Sequence, residues 1–521
     1  MRLVLVVQLL VLTGLVLGIK HRNFKRLGEY EDDSDLDYSE EEDDRDAEIE
    51  PLIVCRKDGK DPCHCDDKND VGILNCRRGT TKKGKQSNKA FLTNATVKVE
   101  DDDFKAKHIS FAGNQITFLD GESIVPGQRI TVKTLDFTAN RISLINTETF
   151  DEFSKLEKLK LSHNLIALDS TKDGWITDKL GKTLKKLYLD YNMLGDIPNG
   201  LFDPLGTTLE TLVLDGNPSL KLSDNTFGSE LANLKELSLD KCKLTDLPPK
   251  LFDNLKGLQS ISLIGNPMTS IPASIAKISN LIYLDLSVTE LPEIPADSFT
   301  KNSKLETIYL NNNKYLAKID DCAFCELENL KKVIINNCEQ LNHINKNAFG
   351  YVEGSGPKEL TVLKLDNNNL TTLDEGLAKW EDLEGIALGK NPWICDDKLE
   401  WMIKTPGLHL IGDEVPKCNA PSELAGKSIP QLRGQAGTPE ASPTSNSFFA
   451  SAFYALLTIV LLSGIVVAGF IMWTKRHSNP FYRPTMPNVG FSNLTAELDM
   501  DDEMMTLADE DEEALPKPVA V

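Results

Sequence analysis

Cysteine is the residue type in this chain with the most versatile chemistry, because a thiol can ligate a metal, join a second thiol or attack a substrate. There are ten. Cys55, Cys63, Cys65 and Cys76 follow the spacing C-x7-C-x-C-x10-C, with His64 between two of them. That set has the donors for a tetrahedral zinc ion and equally the pairs for two disulfides. Cys395 and Cys418 stand together near the C-terminal third. Cys322 and Cys325, in Asp321-Cys322-Ala323-Phe324-Cys325, can bond to each other or remain packed thiols like the isolated Cys242 and Cys338. The compartment weighs on the choice. Residues 1–18 carry Arg2, an apolar stretch from Leu3 to Leu17 and the small Gly18, the pattern of a secretory signal cleaved near Gly18. An oxidising destination favours disulfides over zinc.

No catalytic constellation accompanies these thiols. The sequence has no G-x-S-x-G elbow, no H-E-x-x-H and no phosphate-cradling glycine loop, and its seven histidines are scattered. His108 and His163 fall beside strands on a solvent-facing side, where a lone imidazole is far more often solvated than catalytic. No enzyme, cofactor or metal is expected.

The elements that must position any site come from one repeated pattern. From Lys107 to Lys390 the chain reads L-x-x-L-x-L-x-x-N-x-L twelve times, as in Leu156, Leu159, Leu161, Asn164 and again in Leu184, Leu187, Leu189, Asn192. Further copies include Leu209, Leu212, Leu214, Asn217 and Leu360, Leu363, Leu365, Asn368. Alternating apolar residues such as Leu237 and Leu239 predict a short strand with its leucines inward. The asparagine leaving each strand has an amide that both donates and accepts, so it can satisfy buried backbone groups of neighbouring turns. Asn114, Asn140, Asn164, Asn192, Asn217, Asn266, Asn313, Asn368 and Asn391 occupy this ladder, and Cys242, Thr289 and Cys338 are small enough to replace it. A second apolar set, such as Leu247, Pro248, Phe252, Leu255 and Leu258, closes each coil on its far side. The period predicts an α/β solenoid with a curved parallel sheet on the concave side and irregular, 3-10 or short helical segments on the convex side.

The two halves of this repeat, L-x-x-L-x-L-x-x-N-x-L and x-x-L-P-x-x-x-F-x-x-L, resemble the typical subtype of the extracellular leucine-rich-repeat family over roughly residues 55–430. The resemblance implies an N-terminal cysteine cap over 51–90, repeats over 91–390 and a C-terminal cap over 391–434. The last is carried by Asn391-Pro392-Trp393-Ile394-Cys395, Leu399, Trp401, Cys418, Pro421, Leu424 and Gly426. The family's C-terminal cap pairs four cysteines first to third and second to fourth. Here Asp397 stands second and no cysteine follows Cys418, so the resemblance implies one bond, Cys395 to Cys418. The family includes adhesion molecules, neuronal guidance proteins, innate-immune receptors and matrix organisers.

Flanking segments set the expected topology. An uncharged apolar run, 450–473, is long enough to span a bilayer, and Lys475 and Arg476 follow it, which predicts a single-pass type I protein at the plasma membrane with the C-terminus in the cytoplasm. Two tails carry the formal net charge of −22: Glu29 to Glu50 holds fourteen acids and one arginine, and Glu497 to Glu513 ten acids and no base. The remainder is close to neutral and offers no basic patch for nucleic acid. The acidic tail, 19–50, holds Tyr30 and Tyr38 in a context similar to the sulfated tyrosine clusters of small leucine-rich matrix proteins, and Lys25-Arg26 is a dibasic cleavage candidate. Residues 435–449 are rich in Pro, Ser and Thr and read as a stalk where a protease could release the ectodomain. In the tail, 474–521, Asn479-Pro480-Phe481-Tyr482 matches the N-P-x-Y adaptor signal, in which Asn-Pro favours a turn that presents the tyrosine. Asn94 and Asn369 are lumenal glycosylation sequons. Gly464-x-x-x-Ala468 gives the apolar run one small-residue spacing compatible with a homodimer.

Binding is the function this architecture predicts, because a rigid concave sheet displays the residues between its leucines. The ends of that face are polar. Its middle collects Tyr188, Tyr191, Val213, Ile264, Tyr283, Val288, Tyr309 and Ile334, with Asp190, Asp215 and Asp285 beside them. These residues are expected to face solvent and to contact an extracellular protein or matrix ligand, with packing across adjacent strands as the alternative. The expected function is a cell-surface binding or adhesion receptor using its cytoplasmic motif for adaptors. The alternatives are a matrix-organising protein, tethered or shed, and an innate-immune co-receptor.

Overall fold

The computed structural model describes residues 51–435 apart from 56–62, 68–69, 79–90, 102, 169–173, 406–407 and 413. The alternation of leucine with polar residues yields twelve three-residue strands, one per repeat, from His108–Ser110 to Gly385–Ala387. We number the coils 1 to 12 by these strands. All twelve pair in parallel within a fourteen-stranded sheet. Its first two strands, His64–Asp66 and Ile73–Asn75, form an antiparallel hairpin that covers the open apolar end of coil 1. Disulfide Cys63–Cys76 closes this hairpin, and Cys55–Cys65 ties it to the end of the strand Leu52–Val54.

Each strand sends its central residue into the core, and Leu159, Leu187, Leu212, Leu237, Ile261 and Leu284 are fully enclosed. Burying such a side chain contributes about 1.5–3 kcal/mol, and the gain recurs in every coil. On the convex side phenylalanines pack from coil to coil, with Phe299, Phe324 and Phe349 spaced at ring-centroid distances of 5.9 and 5.0 Å. Short 3-10 turns such as Asp203–Leu205 and Ala273–Lys277 connect this layer back to the sheet. After coil 12 the strand Trp393–Ile394 pairs with Cys418–Ala420, and Cys395 bonds to Cys418. Helix α1, Glu400–Lys404, and helix α2, Ile429–Gln435, complete the cap. Asp397, at the position where the family pattern has a cysteine, is exposed.

The asparagine ladder binds the coils to one another. Asn217 Nδ2 donates to Leu189 O at 3.1 Å and Leu214 O at 2.7 Å, while its Oδ1 accepts from the amides of Asn192 and Leu194, both at 3.1 Å. Where cysteine replaces asparagine, the thiol keeps the donor role: Cys242 Sγ reaches Leu214 O at 3.3 Å and Cys338 Sγ reaches Leu310 O at 3.2 Å. Thr289 keeps it with a hydroxyl directed at Leu286 O, 3.1 Å away. Cys322 and Cys325 are bonded to each other, so Cys242 and Cys338 are the two free thiols. Burial pushes the Cys242 thiol up to about 12 and the Cys338 thiol up to about 11, which keeps both protonated as donors.

Among the described residues no helix is long and apolar enough to cross a membrane; the apolar run 450–473 lies outside them. The stalk, the signal segment, Tyr30, Tyr38 and Asn479 to Tyr482 lie outside the described residues as well.

Two outcomes follow for the ladder. Asn217→Ala leaves buried amides and carbonyls without partners at about 1–3 kcal/mol each, so hydrogen exchange in coils 4 to 6 should accelerate roughly a hundredfold while coils 10 to 12 keep their protection. An alkylating reagent should label no cysteine in the native protein and two after unfolding without reductant, as mass spectrometry would report.

Candidate functional site

The third residue of each strand faces the concave side, and its neighbours there are set by the parallel register. Tyr188 of coil 4 lies beside Val213 of coil 5, and Asp285 of coil 8 beside Tyr309 of coil 9, which adjoins Ile334. Between Val213 and Asp285 the register places the small Ser238 and Ser262. Tyr188, Val213 and Tyr283 form an apolar cluster separate from the solenoid core, with Tyr309 packed against it. The Tyr283 and Tyr309 rings lie 5.5 Å apart.

This packing corrects the expectation that the central residues face solvent. Tyr188 is 1 % exposed, and Val213, Ile334, Tyr283, Asp190 and Asp285 are also buried, while Asp215, Ile264 and Tyr309 are half-buried. The cause is geometric: strands about 4.8 Å apart bring rings on neighbouring coils into contact, and small serines leave room for them to lean. Only Tyr191 and Val288 of the predicted set are well exposed, at 39 % and 48 %.

Both stand in a column of twelve residues immediately before the ladder positions, and every member of that column has positive φ. Gly113, Gly216 and Gly265 meet that requirement without a Cβ, and Asn312, Asn337 and Asn367 tolerate it well. Tyr191 at φ 50° and Val288 at φ 59° do not. A side chain there costs roughly 1–2 kcal/mol, and a β-branched one is a conformational outlier. Tyr191 is held from two sides, its ring stacked on His163 at 4.4 Å and lying against Gly216, where any Cβ would meet the ring at 2.5 Å. Lys241 Nζ donates to its hydroxyl at 3.4 Å. Leu165 and Met193, one residue past the ladder in coils 3 and 4, add two exposed apolar side chains to the same edge.

Beside this edge runs a row of carboxylates. Asp190, Asp215 and Asp240 occupy equivalent positions in coils 4, 5 and 6. Their Oδ1 atoms accept from the hydroxyls of Ser162, Ser238 and Ser262 at 2.6, 2.6 and 2.5 Å. Asp215 also takes the Asp240 amide and Asp240 the Ile264 amide, both at 2.8 Å. Burial, reinforced by the Asp240 charge, holds Asp215 well above the usual carboxylate range. Burial pushes Asp240 up to about 7 against the opposing Ser262 and Ile264 bonds, and it raises Asp190 and Asp285 too. The Tyr309 phenol is raised by burial and by Asp285.

Comparison with known proteins agrees with this architecture. Residues 220–354 match the model of the BspA type leucine rich repeat region in six copies. Lumican of Rattus norvegicus is 32 % identical over 238 residues, covering 38 % of this chain and 68 % of lumican. The chain belongs to the leucine-rich-repeat family that includes lumican. Podocan of Mus musculus is 28 % identical over 54 % of this chain and 43 % of its own length, and osteomodulin of Rattus norvegicus 28 % over 48 % and 55 %. In this leucine-rich-repeat protein the sequons sit differently. Asn94 is half-buried with its Oδ1 accepting the Thr96 amide at 3.0 Å, whereas Asn369 is exposed on the edge of coil 11.

Sequence reasoning missed Asp240, His163, Leu165 and Met193 as parts of one surface. The signal was present, since Asp240 precedes Cys242 by the same two residues that separate Asp215 from Asn217. Their shared edge became visible only once the coils were stacked.

Val288→Asn relieves the strain of a β-branched residue at positive φ and should stabilise coil 8 by about 1 kcal/mol, measurable by hydrogen exchange. Asp240 gives a pH signature. In the folded protein it keeps its proton up to about 7, whereas in the unfolded chain it loses it near 3.8. Its contribution to stability is therefore complete below pH 4 and is lost as pH rises through 7. Asp240→Asn should match the parent at pH 4 and resist urea better than the parent at pH 8.

Proposed function

We propose that this protein is an extracellular binding receptor that captures a protein or matrix ligand on the concave face of coils 3 to 10. The observation that carries this reading is the presence of Tyr191 and Val288, large, exposed and at positive φ, in a column that six of the twelve coils fill with glycine or asparagine. Strain kept at an exposed position is accounted for by contact with a partner. The buried Tyr188 and Tyr283, with the half-buried Tyr309 packed on them, support the reading as a stiff platform, and of the neighbouring carboxylates Asp215 is half-buried while Asp190 and Asp285 are buried within it. Val213 and Ile334 are buried within the same platform, and the half-buried Ile264 borders it.

In this reading the run 450–473 anchors the protein in the plasma membrane as a single type I span, and Asn479-Pro480-Phe481-Tyr482 recruits an endocytic or phosphotyrosine-binding adaptor. Asn369, exposed beside the ladder, carries a glycan that masks one edge of coil 11, and Asn94 carries another. A second reading, a matrix-organising protein released at the 435–449 stalk, draws on the acidic segment with Tyr30 and Tyr38, whose sulfation would strengthen binding to basic partners.

Proximity labelling with the full-length chain on cells identifies the ligand. The Tyr191→Ser/Val288→Asn double variant should then lose at least about tenfold in affinity, roughly 1.4 kcal/mol, with surface expression unchanged. Equal affinity rejects the concave site. Tyr482→Ala should lengthen residence at the cell surface, and a soluble ectodomain as the main tissue form favours the second reading.

A further inference from the structure

Coils 8, 9 and 10 carry an additional parallel sheet on their convex side, made of Glu293–Ile294, Lys318–Ile319 and His343–Ile344. Its ladder is regular. Ala317 and Asp320 amides donate to Pro292 O and Ile294 O at 2.8 and 2.9 Å, and one coil later Asn342 and Asn345 amides donate to Ala317 O and Ile319 O at 3.1 and 2.9 Å. Coil 11 does not continue it. Its Asn369 amide reaches Leu341 O at 2.9 Å, but among the described residues no donor reaches the next two carbonyls in line, Asn342 O and Ile344 O.

Coil 11 stands off instead, and a cavity of about 1090 Å³ opens between the His343–Ile344 edge, the 372–375 segment and helix α1. Leu373, Ile344 and Trp401 form its apolar base, and Trp401 is fixed there by its Nε1 donating to Leu373 O at 3.0 Å. The walls are predominantly acidic. Asp374, Glu375, Glu381, Asp397 and Glu400 face three lysines, one of which, Lys404, is engaged by Glu400 at 2.8 Å. Asp397 is the residue that replaces a cap cysteine in the family pattern, so a carboxylate stands where a disulfide would otherwise be.

We propose that this groove binds an extended basic segment of a partner protein as a fourth strand beside His343–Ile344. Alternate backbone amides of that segment donate to Asn342 O and Ile344 O, and its lysines or arginines meet the carboxylates of coil 11 and the cap. The volume is that of a generous ligand site. The chain's own continuation fits poorly, because residues 436–449 contain Glu440 and no base, and Pro439 and Pro443 have no amide hydrogen to donate.

The test uses the full-length protein and a fluorescent decapeptide of alternating lysine and valine, together with two forms N-methylated at alternate amides in each register. The parent peptide and one methylated form should bind, and the other should lose at least tenfold, because only one register donates to the edge carbonyls. Glu381→Lys and Asp397→Lys, both at exposed positions, should each weaken the parent peptide several-fold with unchanged thermal melting. The Tyr191→Ser/Val288→Asn variant should bind it normally, which separates this groove from the concave face. Equal binding of all three peptides would reduce the interaction to charge attraction and overturn strand addition, as would absence of binding. A protein dimer that the peptide competes away and that Asp397→Lys abolishes would assign the groove to a second copy and overturn a partner segment.

Discussion

A hydrogen bond between a side-chain amide and the backbone of the next coil is the constraint on which the rest of this molecule depends. Parallel strands of three residues cannot satisfy the groups that lie just beyond them, and the ladder position in the turn that follows each strand is buried. Asn192, Asn217 and Asn266 meet this need by donating to two coils and accepting from a third segment. The leucines supply most of the burial energy, but leucines alone would not fix one coil's height against the next. The ladder does, and it thereby sets the spacing at which concave side chains meet.

That spacing governs the candidate site. Each ladder residue requires its predecessor to adopt positive φ, which turns the predecessor's side chain outward at the edge of the sheet. In six of the twelve coils the position is filled by glycine or asparagine, which accept or soften the strain. Tyr191 and Val288 accept it in full and present apolar surface, and Tyr191 is further braced by His163 and Gly216. The same stacking sets the Asp240 charge against Asp215 and the Asp285 charge against Asp240, which no isolated repeat could do.

Departures from periodicity are as informative as the repeat. The step of 30 residues between ladder positions Cys338 and Asn368 is the longest in the solenoid, and directly after it coil 11 leaves the convex sheet of coils 8 to 10 uncontinued. Asp397 in the C-terminal cap then faces the resulting cavity.

The sequence by itself determined the solenoid, its handful of strand residues per coil and the ladder, because leucine alternation and a buried amide recur with a period that only a stacked coil can satisfy. It also brought the cap cysteines into groups whose compartment favours bonding, and it drew attention to Tyr191 and Val288. Tertiary structure decided which side chains remain accessible. Tyr188, Val213 and Tyr283 read as surface residues from their strand positions, yet Tyr188 packs beside Val213 on the next coil and Tyr283 against Tyr309 on the next, within one cluster that the small serines between them allow to close. It also decided which carboxylates share a field and where the convex ladder ends, since both depend on distances between residues about 25 positions apart in sequence, a relation that periodicity implies but only packing makes exact in space.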